Sequence, residues 1–458
     1  MSRIAMPQRE AEIRNKDFIE VNTGYTDEQA LAEAKRCLKC PKPMCVQGCP
    51  VEIEIPAFIG ALSDDNPFKA AKILKGKNSL SAVCGRVCPQ EKQCEKHCIL
   101  GKKDEPIAIG NLERYTADWA AENIKEKNIS VESKGIKVAV IGSGPAGLTC
   151  AGDLAKAGYE TVIYESLHNS GGVLRYGIPE FRLPKSILDY EIDALKKAGV
   201  SFKFNTLIGR TITIDELFKD NYKAIFIGSG AGLPTFMGIE GENLKNIYSA
   251  NEFLSRVNLM RAADFPEYDT PVYKGSNVIV VGGGNTAMDS VRTAKRLGAD
   301  TVTLVYPRSE AEMPDRLEEK IHAKEEGVQF MPLTNPIRFI GDDKHYFVTQ
   351  VECLKMELGE PDASGRRKPQ EIAGSNFTIE ADCVILALGL NPNPVLTSLT
   401  KGLKTNERGR IIIDDNLMSS IPGVFAGGDI AGGSTVIEAM GMGKQAARKI
   451  MDYLNTLK

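Results

Sequence analysis

The spacing of apolar positions divides this chain into two kinds of sequence. Over residues 1 to about 130, apolar side chains recur at helical intervals. Ala30, Leu31, Ala34, Cys37 and Leu38 share one face of a helix that Thr26 is placed to cap. Pro41, Pro43, Pro50 and Pro56 then break the chain into loops and short helices, and no sheet pattern occurs before residue 136. The polar stretch 122–135 reads as a linker. From Lys137 onward, β-branched runs are followed by glycine turns and amphipathic helices. Lys137–Ile141 (KVAVI) reads as a strand, 142–147 as a turn, the next residues to Ala157 as a helix, and 161–164 as a second strand. The same succession returns about 140 residues later: Asn277–Val281 (NVIVV), the turn 282–284, a helix to Leu297 and a strand at 301–305. Two copies of one βαβ unit predict two nucleotide-binding domains of the Rossmann kind. Residues 383–388 and 424–426 read as late strands, and a helix from about Thr435 closes the chain.

Composition narrows the class. A chain of 458 residues suits about three domains, and 42% apolar with 26% charged residues is ordinary for a soluble protein. The 57 basic and 60 acidic side chains nearly cancel, which argues against nucleic acid or an anionic membrane as the main partner. There is no apolar run of membrane-spanning length, and the start MSRIAMPQRE lacks a secretory core, so a cytoplasmic location is expected.

Of 11 cysteines, eight lie between Cys37 and Cys98. In a reducing compartment such clustered thiols read as metal or cluster ligands rather than disulfides. The first group is Cys37, Cys40, Cys45 and Cys49 followed by Pro50. The second is Cys84, Cys88 followed by Pro89, Cys94 and Cys98. A Cys-Pro in each group matches ferredoxin-type loops, and eight thiols permit two [4Fe-4S] clusters. Zinc is the competing reading, but it prefers paired CxxC knuckles, and only Cys37 and Cys40 have that spacing. Spacing alone assigns one group to each cluster, although the last cysteine of a ferredoxin run often crosses to the other.

The first glycine loop is Gly142-Ser-Gly144-Pro145-Ala146-Gly147. Its glycines permit the tight turn, the approach of a pyrophosphate and close helix–sheet packing, and the helix start offers free N–H groups to phosphate. Glu165 ends the next strand, where it would bind ribose hydroxyls. The second loop is Gly282-Gly-Gly284-Asn285-Thr286-Ala287. Its second strand ends in Pro307-Arg308 rather than an acid, which favours NADP(H), because Arg pairs with a 2′-phosphate that a carboxylate would repel. Arg316 is a weaker candidate for the same role. Two such loops suggest FAD in one domain and NADP(H) in the other, with hydride passing between the cofactors. The four scattered histidines form no nucleophile–base arrangement, so no catalytic side chain is expected. Gly428 and Asp429, after the strand at 424–426, suit a flavin polyol. The helix start near Thr435 suits the flavin ring.

The segments CLKCPKPMCVQGCP, VCGRVCP, IAIGNLERY, VIGSGPAGL, GGVLRYGIPEFRLPK, VVGGGNTAMD and GVFAGGDI resemble the NADPH-dependent glutamate synthase small (β) subunit family almost end to end. That family includes relatives such as the large subunit of the electron-bifurcating NADH-dependent ferredoxin:NADP oxidoreductase and the N-terminal half of dihydropyrimidine dehydrogenase. The resemblance implies an α/β fold: an N-terminal α-helical iron–sulfur domain, then two Rossmann-like domains, the NADP domain inserted in the FAD domain. The expected boundaries are 1–130, 131–235 with 385–458 for FAD, and 236–384 for NADP(H). The resemblance also implies a crossed ligand set. Cys37, Cys40, Cys45 and Cys98 would hold one cluster, and Cys49, Cys88, Cys94 and Glu113 the other, leaving Cys84 spare. It places Gly172, Tyr176 and Arg182 beside the flavin. One departure is that relatives often carry two consecutive basic residues where Pro307-Arg308 stands. The implied activity passes electrons from NADPH through FAD and two [4Fe-4S] clusters to a second flavoprotein subunit. That partner would be the glutamate synthase large subunit or, alternatively, the small subunit of the bifurcating enzyme.

Overall fold

The computed structural model describes residues 2–125, 131–361 and 365–457. The N-terminal unit is helical. Its main helices are Asp27–Lys35, Ile55–Ser63, Pro67–Lys77, Ser81–Val87 and Ile109–Asn123, packed through Phe58, Ile59, Leu74, Leu80 and Leu112. Thr26 caps the first of these as its sequence predicts. Its hydroxyl accepts from the Gln29 N–H at 3.3 Å, and the Gln29 side chain accepts from the Thr26 N–H at 3.0 Å. The last helix continues to Asn123, past the start of the expected linker; residues 126–130 of that linker lie outside the described residues.

The next two units repeat one design. The first sheet is parallel throughout, in the order Val424–Ala426, Tyr222–Ile227, Lys137–Ile141, Glu160–Tyr164, Ser201–Lys203. The second is also parallel: Ile247–Ser249, Cys383–Leu386, Asn277–Val281, Thr301–Tyr306, Gln329–Pro332. Strand Val424–Ala426 returns to the first sheet after the second is complete, so the second unit is an insertion in the first. The chain crosses between them on a two-stranded antiparallel ribbon, Leu390 opposite Pro234 and Asn391 opposite Leu233. An exit boundary at residue 384 therefore falls inside a strand of the inserted sheet, and the ribbon moves it to about residue 390. A second departure from the sequence reading is the antiparallel insert formed by Thr334–Gly341, Val348–Pro361, Arg367–Glu371 and Phe377–Glu380. Phe339, Val348, Val351 and Cys353 pack it against Ile279, Val281 and Val305 of the inserted sheet.

The first glycine turn is as tight as its spacing implies. Gly142 has φ +95°, and a Cβ on Gly147 would lie 1.9 Å from the Gly142 carbonyl oxygen. Any side chain there would push helix Pro145–Lys156 off the sheet.

The three units are tied together by buried charge. The Glu326 carboxylate of the inserted unit accepts from Arg14 Nε at 3.0 Å, Arg292 Nη2 at 2.7 Å and Arg296 Nη1 at 2.7 Å. Arg14 belongs to the N-terminal segment. Arg182, from the first nucleotide unit, donates from Nη1 to both oxygens of Asp289 at 2.7 and 2.8 Å and lies 3.0 Å from Glu319. The Phe181 ring beside it lies under the Arg292 and Arg296 guanidinium groups. Burial opposes ionisation of Glu326, but its hydrogen bonds to Arg296 and Arg292 hold its pKa well below the usual range. Replacing Glu326 by Ala takes one anion from three buried arginines, leaving Arg14 with Glu325 and Arg292 with Glu319. A loss of about 3–5 kcal/mol is expected, read as a lower urea midpoint for the inserted unit; an unchanged midpoint contradicts the tie.

Candidate functional site

The candidate residues fall into three groups. The first surrounds the 142–147 turn. Gly144 is the N-cap of helix Pro145–Lys156 and offers no side-chain cap, and a Cβ built on it would meet open space. The turn therefore presents an uncapped helix start to open space beside the chain, which suits a pyrophosphate. Gly172 closes over this turn with φ +54°, and a Cβ there would come within 2.8 Å of Gly144 Cα. Glu165 stands at the strand end as expected. Its carboxylate accepts from the Ser143 N–H at 2.9 Å, the Ser143 hydroxyl at 2.6 Å, the Ser166 hydroxyl at 3.1 Å and the Leu167 N–H at 2.9 Å. A ribose hydroxyl would exchange with one of the two serine hydroxyls. Burial pushes the Tyr176 pKa up to about 12, and the carboxylates of Asp429 and Glu165 add to the shift. The charges of Asp429 and Glu165 thus both act on Tyr176. Burial also raises the Asp429 carboxyl, against the opposing charge of Arg410. Thr435 is the N-cap of helix Val436–Thr456, its side chain accepting from the Glu438 N–H at 3.3 Å. These residues fit FAD. Arg182 is paired with Asp289 and Glu319 of the inserted unit, whose carboxylates neutralise its buried guanidinium.

The second site surrounds 282–284. Gly284 is likewise an N-cap without a side-chain cap, with open space at its Cβ position. Asn285 and Thr286 lie exposed at the mouth. Asn285 Oδ1 accepts the Arg316 N–H at 2.9 Å. Arg308 is half-buried at the strand end, its Nε donating to the Arg367 carbonyl at 2.9 Å. The fit is to NADP(H). Arg316 takes other partners. It crosses to the helical unit, donating to the Arg86 carbonyl at 3.0 Å and to Gln90 Oε1 at 3.1 Å.

The cysteines gather in space otherwise than in sequence. Cys37, Cys40, Cys45 and Cys98 line one cavity, with Leu38, Pro43, Met44 and Ile99 at its walls. Burial pushes the Cys45 thiol up to about 11, with Cys98 and Cys37 adding to it. Cys49 is pushed up to about 12 by burial, and its charged neighbours are Glu113 and Cys84. Cys88 pairs with the Cys84 thiol and feels the charges of Glu113, Cys94 and Cys49, while Cys94 feels those of Glu95, Cys49 and Glu113. Cys98 thus lies with the first group and Cys49 with the second, so one cluster per sequence group does not match the geometry. Burial also pushes the Glu113 carboxyl up to about 8, and Glu113 Oε1 accepts from Asn78 Nδ2 at 2.8 Å. Donors whose ionisation is opposed by burial and by one another suit a shared polynuclear cation. Among the described residues no three His, Cys, Asp or Glu side chains close on a single-ion site.

Two features escape the sequence reading. The Cys84 thiol packs against Met440 Sδ of the last helix at 3.5 Å. Glu191, from the first nucleotide unit, accepts from the Ala82 N–H at 2.7 Å and the Val83 N–H at 3.3 Å at the start of helix Ser81–Val87. Nothing in the local pattern marks either, since each acts across a unit boundary.

The helical unit, residues 14–125, matches a family described as dihydropyrimidine dehydrogenase domain II, 4Fe-4S cluster, and residues 136–446 match the pyridine nucleotide-disulphide oxidoreductases. The chain is 38% identical to the glutamate synthase [NADPH] small chain of Escherichia coli, covering 99% of this chain and 98% of that one. It is 39% identical to the NADP(+)-dependent formate dehydrogenase subunit beta of Moorella thermoacetica over 90% of this chain and 60% of that one. In fold it is similar to FprA of Mycobacterium tuberculosis in complex with NADPH, with TM-score 0.59, 20% identity, and coverage of 70% of this chain and 85% of that one.

Two predictions follow from the donor sets. Replacing Cys98 by Ser should cost the cluster shared with Cys37, while replacing Cys84 by Ser leaves iron and acid-labile sulfide unchanged; loss of a whole cluster in the Cys84 variant would make Cys84, rather than Glu113, the fourth inner ligand. Glu191 has a folded pKa raised from 4.5 to about 8 by burial. Between those values the folded state binds the extra proton, so its contribution is full below about 4.5 and stability falls as pH rises toward 8. Glu191→Gln should flatten that slope in denaturation measured from pH 5 to 8, and an unaltered slope refutes the assignment.

Proposed function

This chain belongs to the glutamate synthase small-subunit family, and we propose that it is the electron-input subunit of a glutamate synthase, taking electrons from NADPH. When bound, FAD accepts hydride from NADPH and two [4Fe-4S] clusters carry the electrons onward singly. The observation that carries this reading is the joining of two nucleotide turns and two cysteine sets in one polypeptide. The deeper set lies against the helix that begins beside the FAD turn, through Cys84 and Met440. The shallower one opens to the surface.

Within this reading, Gly142, Gly144, Pro145, Ala146 and Gly147 hold the FAD pyrophosphate, and Glu165 takes the adenosine ribose. Gly428 and Asp429 take the polyol, while Gly172 and Tyr176 shape the pocket above the turn. Thr435 aims its helix start at the flavin ring, where the dipole favours negative charge. Gly282, Gly284, Asn285 and Thr286 hold NADP(H), and Arg308 meets its 2′-phosphate. Cys37, Cys40, Cys45 and Cys98 hold the outer cluster, and Cys49, Cys88, Cys94 and Glu113 the inner one. No side chain is required as acid or base, because the chain's task is alignment and exclusion of water.

The glutamate synthase and formate dehydrogenase relatives are a small chain and a β subunit, which supports a partner subunit that receives the electrons. We assign it as the glutamate synthase large subunit, a flavoenzyme that docks over the outer cavity. Leu38, Met44 and Ile99 stand there 61%, 50% and 52% exposed, more apolar surface than an isolated cluster pocket needs. Among the described residues no helix is long and apolar enough to cross a membrane.

The test uses anaerobically purified holo-protein. NADPH should reduce a one-electron dye, NADH should do so much less well, and affinity capture from the native host should recover a large glutaminase-bearing flavoprotein. Recovery of a smaller flavoprotein with a [2Fe-2S] centre would assign the chain to the bifurcating enzyme instead. Absence of dye reduction removes the function altogether.

A further inference from the structure

Resting on the NADP(H) reading above, we infer that Arg367, from the antiparallel insert, supplies a second cation for the nucleotide 2′-phosphate. The strand Thr301–Tyr306 ends in Pro307-Arg308, so only one guanidinium on that strand end meets a doubly charged phosphate. The structure brings another to the same mouth. Arg308 Nε donates to the Arg367 carbonyl at 2.9 Å, which fixes the start of strand Arg367–Glu371 against Arg308. Antiparallel pairing of Arg367 with Pro361 holds that strand from its other side.

Arg367 is also placed to control the local field. Its Nε donates to Glu312 Oε1 at 3.0 Å while its side chain stays 52% exposed. Glu312 is anchored beside the nucleotide turn. Its second oxygen accepts the Ser309 N–H at 3.1 Å, and its carbonyl accepts the Tyr306 hydroxyl at 3.2 Å. A Cβ on Gly283 would lie 2.7 Å from the Tyr306 ring, so turn, ring, carboxylate and Arg367 form one contiguous wall. The remaining acid there, Glu310, pairs with Lys324 at 2.6 Å. Unmasked, Glu312 would repel the phosphate. Arg367 therefore acts twice: it offsets Glu312 and presents the rest of its guanidinium to the ligand.

The test measures equilibrium binding of NADP+, NAD+ and 2′,5′-ADP to the holoenzyme, with FAD content as the control for folding. Arg367→Ala should weaken NADP+ and 2′,5′-ADP roughly tenfold and leave NAD+ unchanged or slightly tighter. Adding Glu312→Gln to that variant should recover part of the loss. An unchanged NADP+ to NAD+ ratio in Arg367→Ala overturns the inference. If Arg308→Ala destroys the preference while Arg367→Ala does not, only this inference falls. If both leave the ratio unchanged, the assignment of Arg308 in the NADP(H) reading falls with it.

Discussion

The geometry of the whole chain depends on charges removed from water between its units. Glu326 holds Arg14 of the N-terminal segment and Arg292 and Arg296 of its own unit, while Arg182 reaches from the first nucleotide unit to Asp289 and Glu319. Each of these ions would be costly alone, and together they are satisfied in only one arrangement of the three units. Such a network specifies orientation more than it adds stability. For a relay, orientation is what matters, because hydride transfer tolerates little error in ring placement.

The helical unit is fastened to the flavin-side unit by a different means. Glu191 supplies the acceptor that helix Ser81–Val87 lacks at its start, and Met440 packs on Cys84, the residue after Val83. On the same boundary a Cβ at Gly441 would lie 2.8 Å from the Pro50 carbonyl, so the terminal helix runs directly against the loop that follows Cys49. The nucleotide unit thus forms part of the wall around the inner thiol set. Isolated from it, the helical unit would expose Glu191's partners and lose the wall behind Cys84.

Much of this was legible in the residues. The two nucleotide turns show in spacing and context, since a glycine turn between a buried strand and a helix leaves few alternatives. Thr26 and Thr435 both cap the helices their positions predict. What stayed illegible acts across boundaries. Spacing cannot show that Cys98 returns to Cys37, because the intervening helices double back. Arg182 and Arg316 look like ligands of a cofactor or phosphate, yet the contacts shown for both cross unit boundaries, which a linear pattern cannot distinguish from exposure to a ligand. The antiparallel insert is exposed along much of its length, so its strands carry only a weak apolar alternation.

The central claim is that nucleotide, flavin and cluster sites form one conducting line in this chain. Electron paramagnetic resonance of the anaerobic holo-protein, recorded after stepwise addition of NADPH, tests it most directly. Loss of oxidised flavin absorbance is expected together with the signal of a reduced [4Fe-4S] cluster. Flavin that bleaches while no cluster signal ever appears, or a preparation without acid-labile sulfide, would contradict it.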